Sequence, residues 1–415
     1  MTDAEFQAQY VNKIICGDAL EVMREMPDGC VDTCVTSPPY WGLRDYGVDG
    51  QIGLEATPEA FVAKMVEVFA EVKRVLAPHG TCWVNLGDSY NSIAGNYRGL
   101  KTGMTKEDAK ITLGGGIRKV QQAHEFTARP TYAPGLKPKD LVGIPWRTAL
   151  ALQADGWYLR SDIIWAKCNP MPESCRDRPT KAHEYLFMLT KRPRYFYDAE
   201  AVKEEGNHSP QARDKAGEGY QADYAKGDRF SAGNRVYGVA GTRNKRSVWT
   251  IPTQAMSEAH FATFPEKLVE PCILAGTSAK GNCPACGKPW ERVVDRDAPK
   301  DKSQWPASWG NRGFSGEKHK GAHTHNSTGS TTTGWRPTCK CGIEETRPAL
   351  VMDPFGGSGT VGVVAGRHKR NYVLIELSPE YATTIAQPRL NHIETAVPVK
   401  EARAGQLPLF GEEAS

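Results

Sequence analysis

Apolar positions recur along this chain with two periods. Short extended runs recur with polar loops after them: Asn12–Cys16, Val31–Val35, Thr81–Leu86, Tyr158–Lys167, Glu184–Thr190, Ala349–Asp353 and Asn371–Leu377. Runs this short and this apolar predict strands buried on both faces. Between them the period lengthens. Phe61, Met65, Val68, Phe69, Val72 and Leu76 share one helical face, and Pro78-His79-Gly80 is expected to stop that helix. Further helices are expected over Ala19–Met26, Lys139–Ala154 (shortened or kinked by Pro145), from Phe264-Pro265 to about Ala275, Val361–Arg367 and Glu380–Leu390. Strands alternating with helices predict an α/β fold, a doubly wound and mostly parallel sheet.

Composition bounds this picture without changing it. The chain has 415 residues, 40% hydrophobic and 24% charged, enough for one large domain or two modest ones. Its formal charge is only +4, so a polyanionic partner has to be argued from local patches. Met1-Thr2-Asp3-Ala4-Glu5 has no basic or apolar leader character, and no apolar run is long enough to span a membrane. The expected setting is the cytoplasm, with no membrane partner. The eleven cysteines, mostly among apolar neighbours such as Cys16, Cys34 and Cys82, read as reduced thiols.

Two stretches carry chemistry. The first is Ser37-Pro38-Pro39-Tyr40-Trp41, at the carboxyl end of the Val31 strand, where open α/β sheets hold ligands. Two prolines fix the backbone and offer carbonyls but no N–H, Ser37 adds an acceptor, and Tyr40 adds a flat face. A planar ring carrying an amino group fits such a site, though a Pro-Pro turn that merely ends a strand has the same local sequence. The second is Asp353-Pro354-Phe355-Gly356-Gly357-Ser358-Gly359-Thr360, a Gly-rich strand-to-helix turn followed by an acid, Glu376, at the end of the next strand. Glycines admit close backbone approach, and an acid so placed commonly takes ribose hydroxyls. No Gly-Lys-Ser/Thr follows, so this is not a phosphate loop.

Together these stretches resemble the β class of DNA amino-methyltransferases, which use S-adenosylmethionine to methylate adenine N6 or cytosine N4. Ser37–Tyr40 matches the catalytic motif and Asp353–Thr360 the cofactor motif, in the circularly permuted order of that class. Gly17-Asp18 and Phe264-Pro265 with Leu268 match as well. The resemblance covers residues 12–90, 139–200 and 258–392. It implies a permuted Rossmann-like methyltransferase fold, catalysis by Ser37, Pro38, Pro39 and Tyr40 on a base flipped out of duplex DNA, and cofactor binding by Asp18, Phe264, Asp353, Phe355, Gly357, Ser358, Gly359, Thr360 and Glu376. Asp18 reads equally as a helix N-cap and Phe264 equally as core. The implied organisation is a catalytic half over 1–89 and 140–199, a basic insertion over 90–139, a target-recognition region over 200–257, a cofactor-binding half over 258–276 and 348–395, a Cys-rich insertion over 277–347 and a tail over 396–415. The class also implies a homodimer.

Serine in the first motif position leans towards cytosine and the size of the adenine group towards adenine, so the target base stays open. Methylation at cytosine C5 would need a thiolate, and Cys272, after Pro271, lies inside an expected helix. Arg98, Lys101, Arg118, Lys119, Arg229, Arg235, Arg243, Lys245 and Arg246, with Trp41, are the candidate DNA contacts. Arg178, Pro179, His183 and Glu184 read as structural support. Cys283, Cys286, Cys339 and Cys341 suit a tetrahedral zinc ion, with His319, His323 and His325 available between them. Gln406-Leu407-Pro408-Leu409-Phe410 resembles the peptides that dock on a bacterial sliding clamp. RNA or protein-glutamine methylation, and a zinc-containing DNA-binding protein without turnover, are the rival readings.

Overall fold

The computed structural model describes residues 1–43, 47–48, 50–91, 133, 135–205, 242–254, 265–296 and 330–395. In chain order it forms α1 (Asp3–Tyr10), β1 (Lys13–Cys16), α2 (Ala19–Glu25), β2 (Val31–Thr36), α3 (Pro58–Val75), β3 (Leu76–Leu86), α4 (Ile144–Ala154), β4 (Tyr158–Ala166), β5 (His183–Thr190), β6 (Glu204–Glu205), β7 (Thr242–Arg243), β8 (Val248–Thr250), α5 (Glu266–Gly276), β9 (Trp290–Arg296), β10 (Ser330–Pro337), β11 (Leu350–Asp353), α6 (Thr360–Arg367), β12 (Asn371–Glu376) and α7 (Gln387–Thr395).

One eight-stranded sheet runs β1-β12-β11-β2-β3-β5-β4-β8. All neighbours pair in parallel except β5, which is antiparallel to both β3 and β4. Side chains alternate between its faces, as a period of two demands. Cys34, Met352, Val373 and Ile375 enter the core beneath α1 to α4, while Val35, Val351, Tyr372 and Leu374 enter the core beneath α5 to α7. That double burial explains why the strands read as apolar runs rather than as alternation.

Three element boundaries differ from the expectation. Helix α3 ends at Val75, and Pro78-His79-Gly80 lies inside β3. Leu76 already has extended backbone, and a Cβ on Gly80 would come within 2.9 Å of the Asp32 carbonyl of β2, so glycine lets the two strands close. Helix α4 starts at Ile144, not Lys139, with Pro145 in its first turn, where a missing N–H costs nothing. Its cap is distant: Asp88 Oδ1 accepts from the amides of Gly143 and Ile144 at 2.9 and 3.1 Å. The last helix opens with a π-turn over Tyr381–Ala386 before α7. Pro388 would clash with the Thr384 carbonyl in a regular α-helix, and the wider turn relieves it.

β2 and β11 are neighbours, yet the chain leaves β2 through α3 on one face and β11 through α6 on the other. This is the topological switch point of the sheet, where a crevice opens beyond the strand ends.

Candidate active site

At that point the two stretches meet. Thr36, the last residue of β2, donates its hydroxyl to Asp353 Oδ1, the last residue of β11, at 2.6 Å, and both are fully buried. The bond ties the root of the Ser37 loop to the root of the Gly-rich loop. A cavity of about 360 Å³ lies above it, walled by Ser37–Tyr40, Phe355–Ser358, Asp18 and Glu376.

The Gly-rich loop is held through its backbone. Gly356 N–H donates to the Ile375 carbonyl at 2.7 Å, and a Cβ on Gly356 would press on Leu374 and Ile375 at about 3.1–3.2 Å. Gly357, at φ +50°, donates to Glu376 Oε2 at 2.8 Å, and Ser378 N–H donates to Glu376 Oε1 at 2.8 Å. Both Glu376 oxygens keep a lone pair. Burial raises this carboxyl above the usual range. Arg389 steadies the outer turn through the hydroxyls of Ser358 and Thr360, at 3.1 and 3.2 Å. Gly359, at φ +76°, opens α6.

Asp353 lies beneath the loop rather than in its wall. Oδ1 accepts from Thr36 and from the Phe355 amide at 3.0 Å, while Oδ2 has no hydrogen-bond partner among the described residues. Burial pushes this carboxyl up to about 7. Asp18 serves as the α2 N-cap, its Oδ1 accepting from Leu20 and Glu21 amides at 2.9 and 3.1 Å, and it also borders the cavity. Phe264 lies outside the described residues.

The Ser37 loop is held through side chains. Tyr40 donates its hydroxyl to Glu184 Oε2 at 2.7 Å, with Asn85 Oδ1 at 3.0 Å on its other side. Ser37 donates to Asn85 Oδ1 at 3.3 Å. Lys167 forms an ion pair with Glu184 Oε1 and lies 4.6 Å from the Trp165 ring centroid. Asn85, Lys167 and Glu184 all border the cavity. From sequence alone, Asn85 and Lys167 fall inside runs that predict strands, and Glu184 reads as structural support. The signal available is a charged or amide residue at the end of an otherwise apolar strand: Asn85 and Lys167 at the carboxyl ends of β3 and β4, and Glu184 at the amino end of antiparallel β5.

Trp41 is corrected. It is 4% exposed and its indole N–H donates to the Glu55 carbonyl at 2.8 Å, so it braces the loop from within rather than standing on the surface. Among the expected basic contacts, Arg243 and Arg246 both pair with Glu204, and Lys245 lies over the Trp249 ring. Arg98, Lys101, Arg118, Lys119, Arg229 and Arg235 lie outside the described residues, as do His319, His323, His325 and Gln406–Phe410. Cys272 is buried in α5 and does not border the cavity, and burial pushes its thiol up. No described helix is long and apolar enough to cross a membrane.

Away from the cavity, the sulfurs of Cys283, Cys286, Cys339 and Cys341 all lie within 4.8 Å of one another. They sit at the base of the β9–β10 hairpin, which Arg292 fastens to the sheet domain by an ion pair to buried Asp198 at 2.9 Å.

A family model described as DNA methylase, for N6 and N4 methyltransferases, matches residues 31–283 and 345–387. The Type II methyltransferase M.Cfr9I of Citrobacter freundii is 41% identical over 381 residues, 92% of this chain and 88% of that protein. The Type II methyltransferase M.SmaI of Serratia marcescens is 35% identical over 378 residues, 91% of this chain and 90% of that protein. Among solved structures, a putative DNA modification methylase from Thermus thermophilus, complexed with S-adenosyl-L-methionine, aligns over 92% of this chain and 93% of that chain, at 18% identity and a TM-score of 0.43. The chain belongs to the DNA methylase family, the amino-methyltransferases of DNA.

Proposed function

We propose that this chain methylates the exocyclic amino group of an adenine or cytosine swung out of duplex DNA into the cavity, with S-adenosylmethionine as donor. The observation that carries the reading is the Thr36–Asp353 joint, which sets an amino-accepting loop and a nucleoside-type loop on one cavity wall. The wall suits a cationic nucleoside. Its charged residues are Asp18, Lys64, Lys167, Glu184 and Glu376, and both lysines are already paired with acids. Glu376 offers its remaining lone pairs to ribose hydroxyls, and Phe355 a ring face. When bound, S-adenosylmethionine supplies an electrophilic methyl whose bond to sulfur breaks with its electron pair returning to sulfur, leaving a neutral thioether.

An exocyclic amino nitrogen is a weak nucleophile because its lone pair is shared with the ring. Ser37 Oγ and the Pro38 carbonyl accept the amino hydrogens and so concentrate that lone pair on nitrogen as the methyl arrives. Nitrogen gains the methyl, becomes positive, and loses one hydrogen as a proton, which passes those acceptors to solvent water, since neither a serine hydroxyl nor an amide carbonyl can keep it. Tyr40 stacks on the extruded base, and the rigid loop sets its distance. No covalent bond to the protein is required.

Incubation of duplex DNA with radiolabelled S-adenosylmethionine, followed by nucleoside analysis, reads both the activity and the base. Label in N6-methyladenine or N4-methylcytosine is expected. Ser37→Ala is expected to lower the rate about 100-fold or more, with DNA affinity little changed. Label in RNA or protein instead of DNA, or none at all, overturns the reading.

The cysteine cluster supports a second element of it, a structural zinc ion. Zn–S bonds of ~2.3 Å put tetrahedral sulfurs roughly 3.8 Å apart, and four thiols already gathered this closely suit that geometry. The Cys286 and Ala285 amides point at Cys283 and hold its thiol down to about 7, whereas the neighbouring thiols push Cys341 up to about 12. Four thiolates cannot share this space without a cation. Elemental analysis of protein purified without chelator is expected to give one zinc per chain, and absence of metal removes this element.

A further inference from the structure

We propose that Asn85, oriented by Glu184, is a positioning residue that makes Ser37 a pure hydrogen-bond acceptor; this rests on the methyl-transfer reading above. Asn85 is wholly buried at the carboxyl end of β3, so its amide cannot be satisfied by solvent. Its Nδ2 faces two acceptors, Glu184 Oε2 at 3.2 Å and the Tyr185 carbonyl at 3.1 Å. Both amide hydrogens are therefore used. Turning the amide over would set Oδ1 against a carboxylate and a carbonyl, which can only accept, whereas here it faces the hydroxyls of Ser37 at 3.3 Å and Tyr40 at 3.0 Å, so the orientation follows from the neighbours. Lys167 takes Glu184 Oε1 and leaves Oε2 for Asn85 and Tyr40.

The consequence lies at Ser37. With Oδ1 fixed towards the loop, the Ser37 hydroxyl has an acceptor at 3.3 Å for its one hydrogen; its other partner, the Tyr40 hydroxyl, is at 3.5 Å. Both Ser37 lone pairs are then free for an incoming amino group. The opposite amide orientation would donate to Ser37 and turn its hydrogen towards the base, donor facing donor. A serine hydroxyl can point either way, unlike a carboxylate. A serine in this motif position therefore needs a neighbour that fixes its polarity, and Asn85 with Glu184 supplies one.

A double-mutant cycle tests this on the single-turnover methyl-transfer rate at saturating DNA and S-adenosylmethionine. Asn85→Leu is expected to slow transfer about 10- to 100-fold while the cofactor dissociation constant stays within about two-fold. In a Ser37→Ala background the same change is expected to slow it by less than about two-fold, because the hydroxyl it orients is gone. A residue with only a packing role keeps its full effect in that background, and that result, or a wild-type rate for Asn85→Leu, overturns the assignment. If Asn85→Leu fails to bind cofactor, Glu184→Gln decides. Lys167 demands an acceptor, so the new amide turns its NH2 towards Asn85. Made in a Tyr40→Phe background to remove the phenol contact, it is expected to slow transfer only when Ser37 is present, and an equal effect with Ser37→Ala overturns the proposal. A wild-type rate for Ser37→Ala alone would instead sink the methyl-transfer reading.

Discussion

The two loops that face each other across the cavity are held by opposite means. The Asp353–Thr360 loop is fixed mainly by backbone amides given to Glu376 and Ile375 within its own strand–loop–helix–strand unit, with Arg389 of α7 added at its outer turn. The Ser37–Tyr40 loop is fixed by side chains reaching it from β3 and β5, 45 and 144 positions away along the chain. A loop that cradles a constant ligand gains from backbone restraint, which few substitutions can disturb. A loop that must set a hydroxyl and a ring against a reacting atom needs side-chain hydrogen bonds, because only they fix where a proton points.

The largest break in this comparison comes from a residue that touches no ligand. A Cβ on Gly87 would lie 2.4 Å from Tyr40 Cε2. Gly87→Ala therefore drives the ring off its bond to Glu184 and away from Asn85 while leaving the Gly-rich loop alone. Turnover is expected to fall about 100-fold, the cost of misplacing a reacting partner by ~1 Å, with cofactor affinity unchanged. Loss of cofactor binding in step with turnover would show that the two loops are not braced separately.

The next test addresses the joint between the loops. Asp353 titrates near 4 in an unfolded chain, and burial pushes it up to about 7 in the folded one. Between those values the folded chain holds a proton that the unfolded chain has released, so stability falls as pH rises, and the loss is complete above about 7. In cofactor-free protein, the stability of Asp353→Asn relative to wild type is expected to rise by about 2–3 kcal/mol from pH 5 to pH 7, read by urea unfolding. A constant difference would mean that the carboxyl is ionised throughout and that the Thr36 bond, not a retained proton, satisfies it.

The same contrast explains what the sequence made legible. The Gly-rich loop declares itself because its restraints are local: glycines, a following helix and an acid one strand later. The doubly wound, mostly parallel sheet follows from the alternating periods, and the two loops mark the strand ends that hold a ligand, but the strand order does not follow from either. Asn85 and Glu184 were not legible as parts of the site, since nothing in a linear reading pairs residue 85 with residue 184. Their pairing exists only because β5 inserts antiparallel between β3 and β4. Trp41 misled for a related reason. An aromatic beside Tyr40 reads as a DNA contact, but the chain turns there and carries the indole inward to Glu55. The helix boundaries shifted where caps came from afar, as when Asp88 starts α4.

The smallest expected effect sharpens the comparison from the cofactor side. Glu376→Gln keeps shape and volume but puts an NH2 where an oxygen accepted a backbone amide, so either Gly357 or Ser378 faces a donor instead of an acceptor. One restraint of two is lost, along with one acceptor for a ribose hydroxyl. A net hydrogen bond of about 1–1.5 kcal/mol corresponds to a cofactor dissociation constant raised roughly ten-fold. At saturating cofactor, turnover is expected to stay within about two-fold of wild type, because Asn85, Glu184 and Lys167 hold the opposite loop without any bond to residue 376. Titration of cofactor binding alongside turnover at saturation separates the two quantities. A fall in saturated turnover at unchanged affinity would mean that Glu376 acts on the reacting geometry through the Thr36–Asp353 joint, and that bracing by backbone on one side and by side chains on the other is a single mechanical unit rather than two.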